Sequence, residues 1–318
     1  MRHSLQDRWL KCTSRSEGSV TKRLIVELVV LVLIVASCAS GNGLVNLTRN
    51  PRAEDRWPSW SPDGSKIVCL SSIVSRPDGI STETDYGIYV MDADGKNRTK
   101  VIDPLGARSP SWSPDGKRIV YAVVAGIFAV DADGTNLTPV IYLDSVFGPL
   151  FDWPSYSPDG TKILFASQRE GKWQIYVVNV DGRNETRLSP DEAKEEYRPS
   201  WSPDGTRIAF DSYRDGNREI YVMNADGSNP MRLTKDPPCQ RYVDCSPAWS
   251  PDGSRVAFVS DRDGQPDIYV MNADGSNVTR LTDNSLYEIS LSWSPDGTKI
   301  AFDAEDHDGS NIYVVDVP

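Results

Sequence analysis

Aligned on the position three residues before a recurring proline, the chain offers Asp55, Ala107, Phe151, Glu196, Asp244 and Glu288, the last aligned on Leu291. Four of these six are carboxylates, and Asp152 adjoins the apolar exception Phe151. Carboxylates gathered on one rim focus negative potential and could hold a cation or a basic peptide. The competing reading is a solvated acidic edge on an acidic protein. Trp57, Trp153 and Tyr197 stand beside these positions, where they could contact a ligand.

Catalytic chemistry finds little to build on. The two histidines, His3 and His307, cannot furnish a His-ligated metal site or a Ser-His-Asp triad. There is no Gly-x-Ser-x-Gly elbow, phosphate loop or zinc signature. No cofactor and no metal is implied, and the chain reads as a non-enzyme; a hydrolase built on carboxylates alone is the one catalytic alternative. Asp-x-Asp-Gly-x-Asn strings such as Asp131–Asn136 echo part of a calcium loop, but they fall where a hairpin turn is needed anyway. Asp306–Asn311 is the better calcium candidate, and there too a polar loop is the preferred reading.

What must position these residues is a hexapeptide written six times, Ser-Trp-Ser-Pro-Asp-Gly, at 59–64, 111–116, 155–160 (Tyr156 for Trp), 200–205, 248–253 (Ala248 for Ser) and 292–297. The intervals between copies are 52, 44, 45, 48 and 44 residues, the period of a repeat architecture. Pro presets φ for the first central position of a turn, Asp tolerates the next, and Gly takes the positive φ that follows. After each turn comes a β-branched run such as Arg207-Ile208-Ala209-Phe210, then a second such as Ile220-Tyr221-Val222-Met223, then an Asp-Gly turn and a short fourth run. Four antiparallel strands in about 45 residues make a β-propeller blade. The fold class is therefore all-β, a six-bladed propeller of four-stranded antiparallel blades. Leu44–Thr48 matches the fourth-strand pattern, and the sixth blade stops after its third strand. The N-terminal strand Leu44–Thr48 is thus expected to complete the last blade and close the ring. The recurring aromatics Trp60, Trp112, Tyr156, Trp201, Trp249 and Trp293 are expected between blades, where stacked faces must be buried.

Ser-Pro-Asp-Gly, a strand, Ser-x-Arg-x-Gly (Ser167–Gly171, Ser212–Gly216, Ser260–Gly264) and Ile-Tyr-Val-Met-Asn-Ala-Asp-Gly-Ser-Asn together resemble the propeller repeat of the TolB family, from Leu44 to Pro318. In that family an α/β domain precedes the propeller and engages the inner-membrane partner of the Tol system. Here five residues separate Cys38 from the closing strand, so the resemblance implies the fold and the habit of binding, not the pathway.

Residues 1–38 read as a leader of lipoprotein type and 39–318 as the propeller. Lys22-Arg23 precedes the mostly apolar stretch Leu24–Ser37, and Val35-Ala36-Ser37-Cys38 resembles a lipobox with Cys38 as the lipidated residue. Beyond this leader 28 basic face 42 acidic residues, a net of −14 that repels nucleic acid and anionic lipid. Cys239 and Cys245, within one inserted loop, are expected to form a disulfide, and Cys69 to be a buried thiol. Turns after the first and third strands are monotonous. Those after the second and fourth vary, with a long loop Ser72–Tyr86, an apolar insertion Tyr142–Trp153 and the loop Pro237–Cys245. Variation on a rigid scaffold marks the binding face. The expectation is an exported monomer, held at the membrane only by its lipid, that binds an envelope protein or peptide through Asp55, Trp57, Phe151, Asp152, Trp153, Glu196, Tyr197, Asp244 and Glu288. A small glycan or cation at the channel mouth is the alternative.

Overall fold

A computed structural model describes residues 43–49, 53–75, 82–143, 150–190, 194–235, 246–306 and 309–318. Each hexapeptide closes its hairpin through side chains as well as backbone. In the first copy the Gly64 N–H donates to Ser61 O at 2.9 Å. The Ser61 hydroxyl donates to Asp63 Oδ1 at 2.6 Å and accepts from the Lys66 N–H at 2.9 Å. The Ser65 N–H reaches the same Asp63 oxygen at 3.0 Å. These donors hold the Asp63 carboxyl down to about 2, and the same pattern does so for Asp159, Asp204 and Asp252. The motif is therefore turn chemistry repeated around a ring.

Six sheets of four antiparallel strands result. Five follow chain order, and the sixth runs Val45–Asn46, Gly309–Asp316, Lys299–Asp306, Tyr287–Trp293. Val45 pairs with Val314 and Asn46 with Tyr313, and the Leu47 N–H donates to Ile312 O at 2.8 Å. Closure by the N-terminal strand is thus as the repeat pattern requires. Thr48 repeats a local device: its Oγ1 accepts from the Ile312 N–H at 3.1 Å, as Ser189, Thr234 and Thr282 accept from Ile175, Ile220 and Ile268.

The core lies between blades, one cluster at each boundary. Trp112 packs with Val68, Leu70 and Ile88 of the first blade and Ile119 and Tyr121 of the second. Trp60 does the same between the sixth blade (Ala301, Ile312, Val314) and the first, beside Cys69. Cys69 is fully buried and unpaired, and burial pushes its thiol up to about 12.

The two faces separate as the connections suggest. Backbone bonds such as Ala93 N to Ser65 O and Ala225 N to Thr206 O join the turns after first and third strands on one face. On the other, Gln168 N to Leu150 O and Tyr213 N to Glu195 O join the second-to-third turns to the connections between blades. The stretch expected as a long loop in the first blade is instead mostly hairpin. Lys66–Ser75 and Thr82–Asp92 stay paired out to Ser75 and Thr82, since Thr and Val favour extended backbone there. Ser-x-Arg-x-Gly has its own physical account. Arg169, Arg214 and Arg262 lie over Tyr176, Tyr221 and Tyr269 at 3.9, 4.8 and 4.7 Å, fixing this turn against its sheet.

Candidate functional site: the channel and an aromatic ladder

The innermost strand of each blade lines the axis, and in five of the six blades it carries a register shift. The shifts fall between Arg56 and Ser59, Arg108 and Ser111, Asp152 and Ser155, Tyr197 and Ser200, and Glu288 and Leu291. At the first four, a non-glycine residue just before proline takes left-handed backbone: Trp57 (φ 54°), Ser109 (47°), Trp153 (51°) and Arg198 (47°). Such a conformation costs about 1–2 kcal/mol per residue. A bulge bends the strand and re-aims its side chain. These four residues, with Ser246 and Ser290, line a central cavity of about 430 Å³. Prolines and serines make up much of the remaining wall. Among the described residues its one charged lining side chain is Arg198, and no carboxylate lines it.

The carboxylates expected on the rim are inside. Asp55, Glu196 and Glu288 have no exposed surface and Asp152 is 4% exposed. Each is engaged. Arg98 Nη2 donates to Asp55 Oδ1 at 2.5 Å. Asp152 Oδ1 accepts from the Ser109 hydroxyl at 2.6 Å and the Trp153 N–H at 2.9 Å, with Arg108 at 3.7 Å. Glu196 takes the Ser189 hydroxyl at 2.6 Å and the Arg214 guanidinium. Glu288 accepts from Thr282 Oγ1 at 2.7 Å and Asn284 Nδ2 at 2.8 Å. Burial outweighs these donors at Asp152, Glu196 and Glu288, whose carboxyls are raised, Glu288 to about 7. Glu196 and Glu288 tie the fourth strand of one blade to the first strand of the next. A carboxylate sealed in this way offers neither charge nor contact at the surface. Phe151 is likewise fully buried, in the core between the second and third blades, with its ring 5.9 Å from Phe165.

Aromatic side chains occupy the accessible ground instead. Trp153 lies 5.2 Å from Trp173 and 6.1 Å from Tyr197, Trp173 lies 6.0 Å from Tyr197, and Tyr197 lies 6.3 Å from Tyr213. The series begins in the channel wall at Trp153 and ends at Tyr213, 36% exposed on the variable face. Arginines brace it: Arg198 sits 4.8 Å over Trp153, and Arg218 sits 4.5 Å over Tyr197 and 5.6 Å over Tyr213. Arg218 is itself fixed by an ion pair with the buried Asp211.

A family profile described as the TolB beta propeller domain matches residues 72–241 and 238–318. The chain belongs to the TolB β-propeller family. It is 30% identical over 150 residues to an uncharacterised Agrobacterium fabrum protein, covering 45% of this chain and 51% of that one. It is 32% identical over 154 residues to a TolB homologue of Chlorobium luteolum, covering 48% and 33%. The chain thus spans about half or less of these curated relatives. A solved putative TolB from Agrobacterium tumefaciens superposes with a TM-score of 0.63 at 23% identity, over 86% of this chain and 97% of that one, which shows the shared fold.

Within this TolB-family propeller the ladder brings together Trp153 and Tyr197, which the sequence singled out, and Trp173 and Tyr213, which it did not. A signal existed for both. Trp173 stands where the next blade has Arg218, and Tyr213 where the preceding blade has Gln168, so each is an aromatic exception in a polar connection. Trp57 lines the channel on the first blade. The Asp306–Asn311 stretch begins and ends in paired strand, and Ser310 and Asn311 are buried with their side chains bonded to Asp55 O and Thr48. Asp244, Cys239, Cys245 and Cys38 lie outside the described residues.

Proposed function

We propose that this TolB-family propeller is an exported, non-enzymatic monomer that binds a protein or peptide of the cell envelope across its variable face. The contact centre is the ladder Trp153–Trp173–Tyr197–Tyr213, with Trp57 at the channel. The ladder is the observation that carries this reading. Trp, Tyr and Arg are the side chains on which interface energies concentrate, and here they are held in place by packing before any partner arrives. Residues 1–38 serve as the leader and Cys38 as the lipidated anchor, a reading supported by Lys22-Arg23, the apolar run Leu24–Ser37 and the lipobox-like Val35–Cys38. The family resemblance supports an envelope partner.

The test places a photo-crosslinking amino acid at position 213 in cells, with position 133 on the opposite face as control. A discrete protein adduct is expected at 213, absent at 133 and lost when Trp173→Ala is added. Identical adducts at both positions, or an adduct indifferent to Trp173→Ala, would overturn the reading. Metabolic labelling with an alkyne fatty acid, abolished by Cys38→Ser, checks the anchor.

A further inference from the structure

The bore of the ring carries a second chemistry, apart from the face around it. Ser59, Ser111, Ser155, Ser200 and Ser292 stand at one register on five first strands, opposite Val68, Val120, Leu164, Ala209 and Ala301, and all five line the cavity. The sixth place is Ala248, opposite Ala257. A band of neutral hydroxyls therefore circles the axis. Ser292 Oγ accepts the Trp60 N–H at 3.2 Å, whereas the hydroxyls of Ser155 and Ser246 and the Trp153 indole N–H are enclosed with no protein partner. Ser246 is 6% exposed, and a hydroxyl on one rotatable bond can turn toward the bore. Trp57 and Trp153 add flat apolar surface to the wall. Spare charge is what the wall lacks among the described residues. No carboxylate lines it, and Arg198 lies 4.8 Å over the Trp153 ring and is already engaged by the protein's own groups. A cavity of about 430 Å³ lies in the range that small ligands occupy.

We infer that the bore binds a neutral sugar ring, its C–H face against the Trp57 and Trp153 indoles and its hydroxyls on the serine band. An ion entering a wall with no charge to spare gives up its hydration without compensation, which disfavours acids, amines and phosphates. An uncharged ring rich in hydroxyls meets both remaining features. Each sugar hydroxyl donates and accepts, as each serine does, so the two sets satisfy one another. Indole faces take the C–H side of such a ring. A purely aromatic ligand would use the indoles and leave the enclosed hydroxyls unmatched. This site takes a small ligand within the ring and goes beyond protein binding on the variable face.

The test is calorimetric titration of the full chain with methyl β-D-glucopyranoside beside D-glucuronate, N-acetyl-D-glucosamine beside D-glucosamine, and phenol. At least one neutral sugar is expected to bind, with its charged counterpart about tenfold or more weaker. The double variant Ser111→Ala with Ser200→Ala is expected to lose about tenfold. Met231→Ala, exposed on the outermost strand of the fourth blade, should leave affinity unchanged. The inference falls if no neutral sugar binds at about 10 mM, if the charged sugars bind as well as the neutral ones, or if the double serine variant binds like the parent. Binding of phenol without either neutral sugar assigns the bore to an aromatic ligand and overturns it too. Should the double variant not fold, the neutral and charged comparison on the unaltered protein decides alone.

Discussion

Thr282 Oγ1 donates a 2.7 Å hydrogen bond to Glu288 Oε2 while accepting the Ile268 N–H at 2.8 Å, so one hydroxyl joins the fifth blade to the first strand of the sixth. The same relay runs from Ile175 through Ser189 to Glu196 two junctions earlier, between the third and fourth blades, where Arg214 completes the neutralisation. At Glu288 the partners are a hydroxyl and the Asn284 amide, with Asp267 a nearby like charge. Asp306 takes the place in the sixth blade that Arg214 holds in the fourth, and the carboxyl is left in low dielectric with neutral donors.

Stability should therefore rise on mild acidification. Burial lifts Glu288 from 4.5 to about 7, and Asp303 is lifted to about 6. Between pH 4.5 and 7 the folded protein holds a proton on Glu288 that the unfolded chain has released, so stability falls as pH rises through that window. Glu288→Gln keeps the shape of the protonated carboxyl, with one acceptor and one donor, and removes the charge. The variant is expected to be more stable than the parent by ~1–3 kcal/mol at pH 8 and about equal at pH 5. Urea titrations at the two pH values check this, and a difference independent of pH would exclude the carboxyl as its source. Below pH 4 the turn aspartates lying near 2 act in the opposite sense, and stability declines again.

Thr48→Val tests the closing strand. The substitution is isosteric but removes the hydroxyl that accepts the buried Ile312 N–H at 3.1 Å and donates to Asn311 Oδ1 at 3.2 Å. A loss of ~1–3 kcal/mol in denaturant unfolding is expected. A change within ~0.5 kcal/mol, the level of an ordinary surface substitution, would mean that the strand contributes little to closure.

Much of this fold was legible because each repeat states the same turn chemistry. The Leu-Thr pattern of Leu47-Thr48 likewise matched Leu281-Thr282 closely enough to give away the closing strand. The direction of the carboxylates was not legible. Side chains alternate along a strand, but the shift at Trp57, Ser109, Trp153 and Arg198 inserts a residue and breaks that alternation. Asp55 and Glu196 consequently face inward although the residues two places on face the channel. The ladder escaped for a different reason. Trp173 and Tyr213 are far apart in sequence and join one ladder, through Tyr197, only because adjacent blades bring their connections side by side.

Arg218→Met should separate stability from binding. Arg218 and Asp211 are an ion pair with 8% and 0% side-chain exposure, and the guanidinium supports Tyr197 and Tyr213. Removing one partner leaves a buried charge and should cost ~3–5 kcal/mol. The double variant Asp211→Leu with Arg218→Met should recover most of that loss, since Leu70, Ala122 and Ala166 occupy the register position of Asp211 in other blades. Its ladder would nevertheless lack the arginine brace. A double variant as stable as the parent but defective in crosslinking at position 213 is the expected result, and a double variant as unstable as Arg218→Met would show that the pair is needed for the blade itself.

Gly95 and Gly171 share a backbone conformation and differ in their surroundings. Gly95 has φ 83° in the third-to-fourth turn of the first blade, and a Cβ there would stand 2.5 Å from Leu47 O in the closing strand. Gly171 has φ 83° as well, with nothing within 4 Å of an added Cβ. Alanine at either position meets the left-handed penalty of ~1–2 kcal/mol. At Gly95 it must in addition displace backbone that completes the sixth blade, and overpacking of that kind costs a further ~1–3 kcal/mol. Gly171→Ala is therefore expected to unfold at slightly lower urea and Gly95→Ala at clearly lower urea, with earlier proteolysis at the N-terminal strand. Equal losses in the two variants would place the closing strand away from the first blade's turn and undo the ring.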